Sequence, residues 1–189
     1  MKFILASRSP RRKEILKKFG YDFISVESDF SEKGNYDSPI STVTAFARGK
    51  AEKVFNSLSS EEKKVFAVIG ADTVVFLGDK ILGKPATPKD AENMLNELSG
   101  KTHFVYTVYA VIYDGACVCG YDKTEVLFNV LSEKTVKDYV ATGSPMDKAG
   151  SYGIQDGFDL VKNITGSTYN VIGFPIEKIK PVLDRLSAK

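Results

Sequence analysis

The run Val65-Phe66-Ala67-Val68-Ile69 constrains this chain more than any other segment. Five consecutive apolar residues offer water no polar face, so a strand built from them is buried on both sides and needs helices to cover it. The run stops at Gly70-Ala71-Asp72-Thr73, where strand propensity falls. Two more strands, Lys2 to Ala6 and Phe23 to Val26, enclose a helix with Ile15, Leu16 and Phe19 on one face. Ser9 reads as the N-cap of that helix, Pro10 as its first residue and Gly20 as its end. From Ile40 to about Leu58, Val43, Phe46, Ala47, Ala51, Val54 and Phe55 recur at helical spacing, with Arg48, Lys50 and Lys53 forming a basic edge.

Further along, Val74 to Leu77 and Ile81-Leu82 flank Gly78-Asp79, the pattern of a hairpin. Thr87-Pro88-Lys89-Asp90 opens a helix that Gly100 closes. His103 to Tyr113 and Ala116 to Val130, rich in Val, Tyr, Phe and Thr, form a long antiparallel pair joined at Asp114-Gly115. A helix from Ser132-Glu133 to about Ala141 follows, then a Gly- and Ser-rich stretch from Thr142 to Gly157. A strand near Leu160-Val161, a polar turn over Asn163 to Tyr169 and a terminal helix from Pro175 complete the chain. Early alternation of strands and helices, followed by long antiparallel strands, predicts an α/β fold with a mixed sheet flanked by helices.

At 189 residues and 43% hydrophobic, the chain is expected to form a single domain over 1–189. No apolar stretch approaches the ~20 residues that cross a bilayer, and no secretion signal is visible, so a cytoplasmic protein without membrane partners is expected. The net charge of +2 supplies no general attraction for nucleic acid, and none is expected as a partner. Cys117 and Cys119 share one face of a strand, a spacing awkward for a mutual disulfide.

Several segments carry groups suited to phosphate chemistry. Ser7-Arg8-Ser9-Pro10-Arg11-Arg12 lies at a strand-to-helix junction, where free N–H groups and the helix dipole favour an anion. An ordinary capped helix with solvated arginines reads equally well. Asp72 follows the buried run, where open α/β sheets place ligand-binding groups, although an Asp there also caps turns. Thr73 adds a hydroxyl, and Gly83-Lys84-Pro85 sets a lysine in a stiff turn. Asp29 and Glu32 in the acidic loop suit a hydrated divalent cation, and Lys50 suits phosphate oxygens. The sole histidine, His103, excludes a histidine-rich metal centre and reads as a structural hydrogen-bonding group. In the glycine-rich stretch, Gln155 carries an amide able to read the edge of a base, or simply to face solvent.

Taken together, Leu5-Ala6-Ser7-x-Ser9-Pro10-Arg11-Arg12, Gly70-Ala71-Asp72-Thr73-Val74-Val75, Gly83-Lys84-Pro85, Leu98-Ser99-Gly100-x-x-His103, Asp147-Lys148-Ala149-Gly150-x-Tyr152-Gly153-Ile154-Gln155 and Asn170-Val171-Ile172-Gly173-x-Pro175 resemble the Maf family of nucleotide pyrophosphatases. The blocks stand in family order across nearly the whole chain. The resemblance implies an elongated mixed sheet with two lobes and a central cleft, as in the inosine triphosphatase-like superfamily. It also implies a nucleoside triphosphate substrate, a divalent cation (Mg²⁺ or Mn²⁺) and a homodimer.

By the same matching, Asp72 is the expected proton acceptor, with Glu32 and Asp72 on the metal and Ser7, Arg12, Lys50 and Lys84 on the phosphates. Arg11, Thr73 and Gln155 match the subgroup acting on dTTP and UTP, sometimes on CTP, rather than the one acting on 7-methyl-GTP. Phe174 and Ser144 depart from the Leu and Glu usual at their positions. The family is also associated with arrest of cell division, so the alternative expectation is a nucleotide-sensing regulatory protein that binds without hydrolysing.

Overall fold

The structure, a computed structural model, describes residues 1–31 and 39–188. Its strands form one seven-stranded mixed sheet in the order β2-β1-β3-β5-β6-β7, with β4 on β3. These strands are β1 (Lys2–Ala6), β2 (Phe23–Val26), β3 (Phe66–Leu77), β4 (Lys80–Leu82), β5 (Thr102–Tyr113), β6 (Ala116–Phe128) and β7 (Val161–Thr165). Parallel pairing places β1 between β2 and β3, with Leu5 opposite both Ser25 and Ile69. β5 and β6 meet at Asp114-Gly115, whose φ angles of 48° and 74° are those of a two-residue primed turn. The α/β fold with a mixed sheet flanked by helices is therefore as expected.

Two differences from the expected elements have clear causes. β3 does not stop at Gly70 but runs unbroken through Asp72 to Leu77. Gly and Asp are poor strand formers, yet sheet pairing and burial override that preference here. Asp72 therefore sits in the middle of a strand rather than at its end. Likewise β7 extends over Asn163 to Thr165, part of the expected polar turn, because those residues pair antiparallel with β6. A short helix, Thr168–Ile172, takes the rest.

The chain divides into two compact units. The first comprises Met1–Asp72, Thr107–Asp122 and Gly173–Lys189. It contains helices α1 (Pro10–Lys18), α2 (Pro39–Ser57), α3 (Ser60–Val65) and the terminal Ile176–Ser187 helix. Ile4, Ala6 and Val68 of the sheet pack with Ala51, Val54 and Phe55 of α2 and with Ala110 and Ile112 of β5. Ser9 takes the N-cap position of α1 but its side chain makes no capping bond.

The second unit comprises Thr73–Tyr106 and Lys123–Ile172. It holds α4 (Pro88–Leu98) and α5 (Glu133–Ala141), and Ala91, Leu95 and Leu98 of the one pack with Val136, Tyr139 and Val140 of the other beside Val75, Val105 and Phe128. A capping box starts α4, Thr87 Oγ1 accepting from the Asp90 N–H at 3.1 Å while Asp90 Oδ2 accepts from the Thr87 N–H at 3.0 Å. Truncating the fully buried Leu95 to Ala would cost about 2–5 kcal/mol.

Candidate active site

In the first unit the site is built by a close approach of α2 to β3. Gly70 has no Cβ, and one placed there would run into the Ala47 carbonyl oxygen and lie 2.9 Å from the Ala51 nitrogen. Only glycine lets the helix axis come so near the strand. That approach brings Lys50 Nζ to 2.6 Å from Asp72 Oδ1, with side chains only 13% and 15% exposed. Drawing two charges out of water in this way offsets much of their attraction, but removing one partner leaves the other poorly solvated, at a cost of up to about 3–5 kcal/mol.

A second cation reaches the same stretch of β3 from α1. Arg12 donates from Nη1 to the Ala71 carbonyl at 2.8 Å and to Ser7 Oγ at 3.3 Å, and from Nε to the Gly173 carbonyl at 2.8 Å. Ser7 is 8% exposed; its hydroxyl also accepts the Ser9 N–H at 3.2 Å, and its carbonyl accepts Ser25 Oγ at 3.0 Å. The guanidinium thus fixes the β1-to-α1 junction against the residue next to Asp72. Among the described residues two cations, Lys50 and Arg12, converge on the Ala71-Asp72 stretch, groups of the kind that bind phosphate oxygens.

Of the remaining expected residues of this unit, Arg11 is half-buried on the first turn of α1. Glu32 lies outside the described residues. Asp29 pairs with Lys53 at 3.6 Å, both well exposed, an interaction worth little.

Thr73, Lys84 and Gln155 belong to the second unit. Thr73 is half-buried on β3, whereas Lys84 and Gln155 are exposed. The Lys84 turn is anchored by the Gly150 N–H, which donates to the Gly83 carbonyl at 3.0 Å. Gly150 itself has φ 69°, and a Cβ there would crowd Val75 at 2.9 Å.

Just before and after Gly150 lies a network that the motif reading missed. Lys148, 8% exposed, donates to the Ser144 carbonyl at 2.6 Å, to Ser144 Oγ at 2.8 Å and to Asp147 Oδ1 at 3.1 Å, and lies 3.2 Å from Asp156 Oδ2. Asp156 Oδ2 also accepts from Tyr139 at 2.6 Å and from Ser144 Oγ at 2.7 Å, while the Gly153 N–H donates to the Tyr139 oxygen at 2.8 Å. Burial opposes ionisation of Asp156, but the Tyr139 and Ser144 hydrogen bonds and the Lys148 charge outweigh it and hold its carboxyl below the usual range. The signal was present in the sequence: charged residues set among glycines and serines need partners if the stretch is to pack. This network bounds the segment that carries Gln155.

His103 is fully buried, with Nε2 2.7 Å from the Tyr152 hydroxyl and its ring edge-on to Phe128 and Tyr152. The structural hydrogen bond expected of it is therefore present. Burial, weakly opposed by the Lys101 backbone, pushes its pKa from 6.5 to about 4, so the ring is neutral at physiological pH.

Among the described residues no three His, Cys, Asp or Glu side chains gather as a metal centre, and no helix is long and apolar enough to cross a membrane. A hard cation that keeps its water and binds phosphate oxygens needs only one or two protein carboxylates, so the Asp72 side chain fits such an ion without a dedicated cage.

Known proteins resemble this chain over most of its length. The Maf-like protein family model matches residues 2–186. The dTTP/UTP pyrophosphatase of Thermococcus kodakarensis is 48% identical over 177 residues, covering 93% of this chain and 92% of the relative. That of Bacillus thuringiensis is 45% identical over 180 residues, covering 94% and 92%. Among solved structures, the Staphylococcus aureus Ham1 protein is similar over 68% of this chain and 72% of its own, at 14% identity and a TM-score of 0.44. With a family model matching residues 2–186 and a relative matched over 92% of its length, the chain belongs to the Maf-like protein family.

Proposed function

We propose that this protein is a nucleoside triphosphate pyrophosphatase that hydrolyses dTTP and UTP to the nucleoside monophosphate and pyrophosphate. The observation that carries the reading is the poorly hydrated Asp72 carboxylate, held 2.6 Å from Lys50 with Arg12 bonded to the carbonyl beside it. Relatives of similar length and 45–48% identity named dTTP/UTP pyrophosphatase supply the substrate class.

In the mechanism, Asp72 orients a water and takes its proton as the oxygen attacks the α-phosphorus in line. The bond from that phosphorus to the bridging oxygen breaks, and pyrophosphate departs. Lys50 and Arg12 offset the negative charge that gathers on the leaving group, and Ser7 donates to a phosphate oxygen. A divalent cation, Mg²⁺ or Mn²⁺, would be held by Asp72 and, on the family resemblance, Glu32, and would supply Lewis acidity and neutralise phosphate charge when bound. We assign Lys84 to the phosphates, and Arg11, Thr73 and Gln155 to the pyrimidine, on the family resemblance; CTP and modified pyrimidines belong to the same expected range. On the same resemblance we assign the working form as a cytoplasmic homodimer.

The deciding experiment is product identification with dTTP, UTP and the purine triphosphates, using wild type and Asp72→Asn. Release of dTMP and pyrophosphate by the wild type and its loss in the variant are expected. No pyrophosphate from either pyrimidine would refute the function, whereas wild-type turnover by the variant would refute only the role of Asp72.

A further inference from the structure

Cys117 and Cys119 stand two residues apart on β6, so their side chains leave the same face of the strand. Both are exposed, and neither is in a disulfide. Their sulfurs lie 3.4 Å apart. A disulfide requires about 2.05 Å, and strand geometry holds the two Cα atoms near the upper end of the range that such a bond tolerates. Two thiolates on one tetrahedral ion at about 2.3 Å, by contrast, lie about 3.8 Å apart, a few tenths of an ångström from the observed separation. The strand is stiff behind them: a Cβ on the neighbouring Gly120 would meet the Tyr109 hydroxyl at 2.5 Å, so the backbone is seated against β5.

We propose that Cys117 and Cys119 form a bidentate site for a soft, thiophilic metal cation in the first unit, separate from the proposed phosphate chemistry. Sulfur ligands select Zn²⁺, Cd²⁺ or Cu⁺ and reject Mg²⁺, which demands oxygen and gives up its water reluctantly. Binding of a divalent ion replaces two S–H bonds by two metal–sulfur bonds and releases two protons to solvent. Without a metal, burial and the neighbouring Cys117 push the Cys119 thiol up to about 12, only partly offset by the Arg48 charge on α2, so the metal itself must displace the protons. Among the described residues no third His, Cys, Asp or Glu completes a cluster, so water or a small external thiol fills the other positions and the ion is exchangeable.

The test uses the full chain, reduced and desalted, titrated with Cd²⁺ alone. One ion per chain by native mass spectrometry, a thiolate-to-cadmium absorption band, and persistence of both in excess Mg²⁺ are expected. Cys117→Ser and Cys119→Ser, at exposed positions that leave the melting temperature unchanged, should each weaken binding by about tenfold or more and abolish most of the band. Equal cadmium affinity in the double serine variant, displacement by Mg²⁺, or spontaneous closure of the pair to an intramolecular disulfide in air would each overturn the proposal.

Discussion

Two lysine–carboxylate pairs of nearly equal burial occupy this molecule, and their described neighbours differ in sign. Lys50 and Asp72, 13% and 15% exposed, have a second cation close by, because Arg12 is bonded to the carbonyl of Ala71. Lys148 and Asp156, 8% and 16% exposed, have a second anion, Asp147, within 3.1 Å of the ammonium, together with the hydroxyls of Ser144 and Tyr139. A buried charge must be matched by something. At Lys148 the protein itself provides the match, with short hydrogen bonds drawn mostly from a few residues of one loop. Around Asp72 the described neighbours add a cation instead, Arg12 on the adjoining carbonyl, an arrangement suited to a polyanionic substrate. On the proposed function, the same pair of residue types is thus a fastener in one unit and a receptor in the other.

Substitutions should separate the two roles, beginning with the largest effect. Asp72→Asn keeps the shape and removes the charge; pyrophosphate release from dTTP should fall about 10³-fold while the protein stays folded, as judged by circular dichroism. Lys148→Met should do the reverse. With the half-buried Asp156 left without its cation, urea denaturation should report a loss of about 3 kcal/mol, and Asp156→Asn in the same chain should restore part of it. Were Lys148→Met to abolish turnover at full stability, the distinction between fastener and receptor would be wrong.

Acid should act on the second unit through two groups of the same sign. His103 stays neutral when folded, with its pKa pushed to about 4, but takes up a proton on unfolding below about pH 6.5, so acid favours the unfolded chain. Stability from this group is complete above about pH 6.5 and is lost as the pH falls toward 4. Asp156, held below its usual range, adds a loss at still lower pH, where the unfolded carboxyl is protonated first. Unfolding free energies at pH 7 and pH 5 should differ by about 2 kcal/mol on account of His103, and His103→Gln should flatten that slope. The smallest effect is expected at the exposed Gln155: Gln155→Glu should raise KM for dTTP and UTP several-fold without altering melting, and unchanged kinetics on every base would remove Gln155 from the specificity set.

Where local chemistry specifies an element, the residues alone sufficed. Thr87-Pro88-Lys89-Asp90 contains both halves of a capping box and a proline at the first helical position, and Asp114-Gly115 supplies the two positive φ angles of a tight hairpin. Where an element depends on distant partners, the reading fell short. α3 was missed because, although Ser59 and Glu62 form a capping box, none of its residues is buried and no apolar period marks it. β3 seemed to end at Gly70 because glycine weakens strands, whereas its true service there is to admit α2.

By itself, then, the sequence determined the alternation of helices and strands, the double-sided burial of Ala67 to Ile69 (though not of Val65, which ends α3 exposed) and the family motifs, since these rest on periodicity, capping and residue type within a few positions. Tertiary structure alone decided that Lys50, twenty-two residues away along the chain, meets Asp72, that Arg12 reaches Ala71, and that Lys148 is saturated rather than available. Such pairings depend on how closely a helix can lie on a strand and on which carbonyls remain unclaimed. Those distances are fixed only when the whole sheet and its covering helices are assembled.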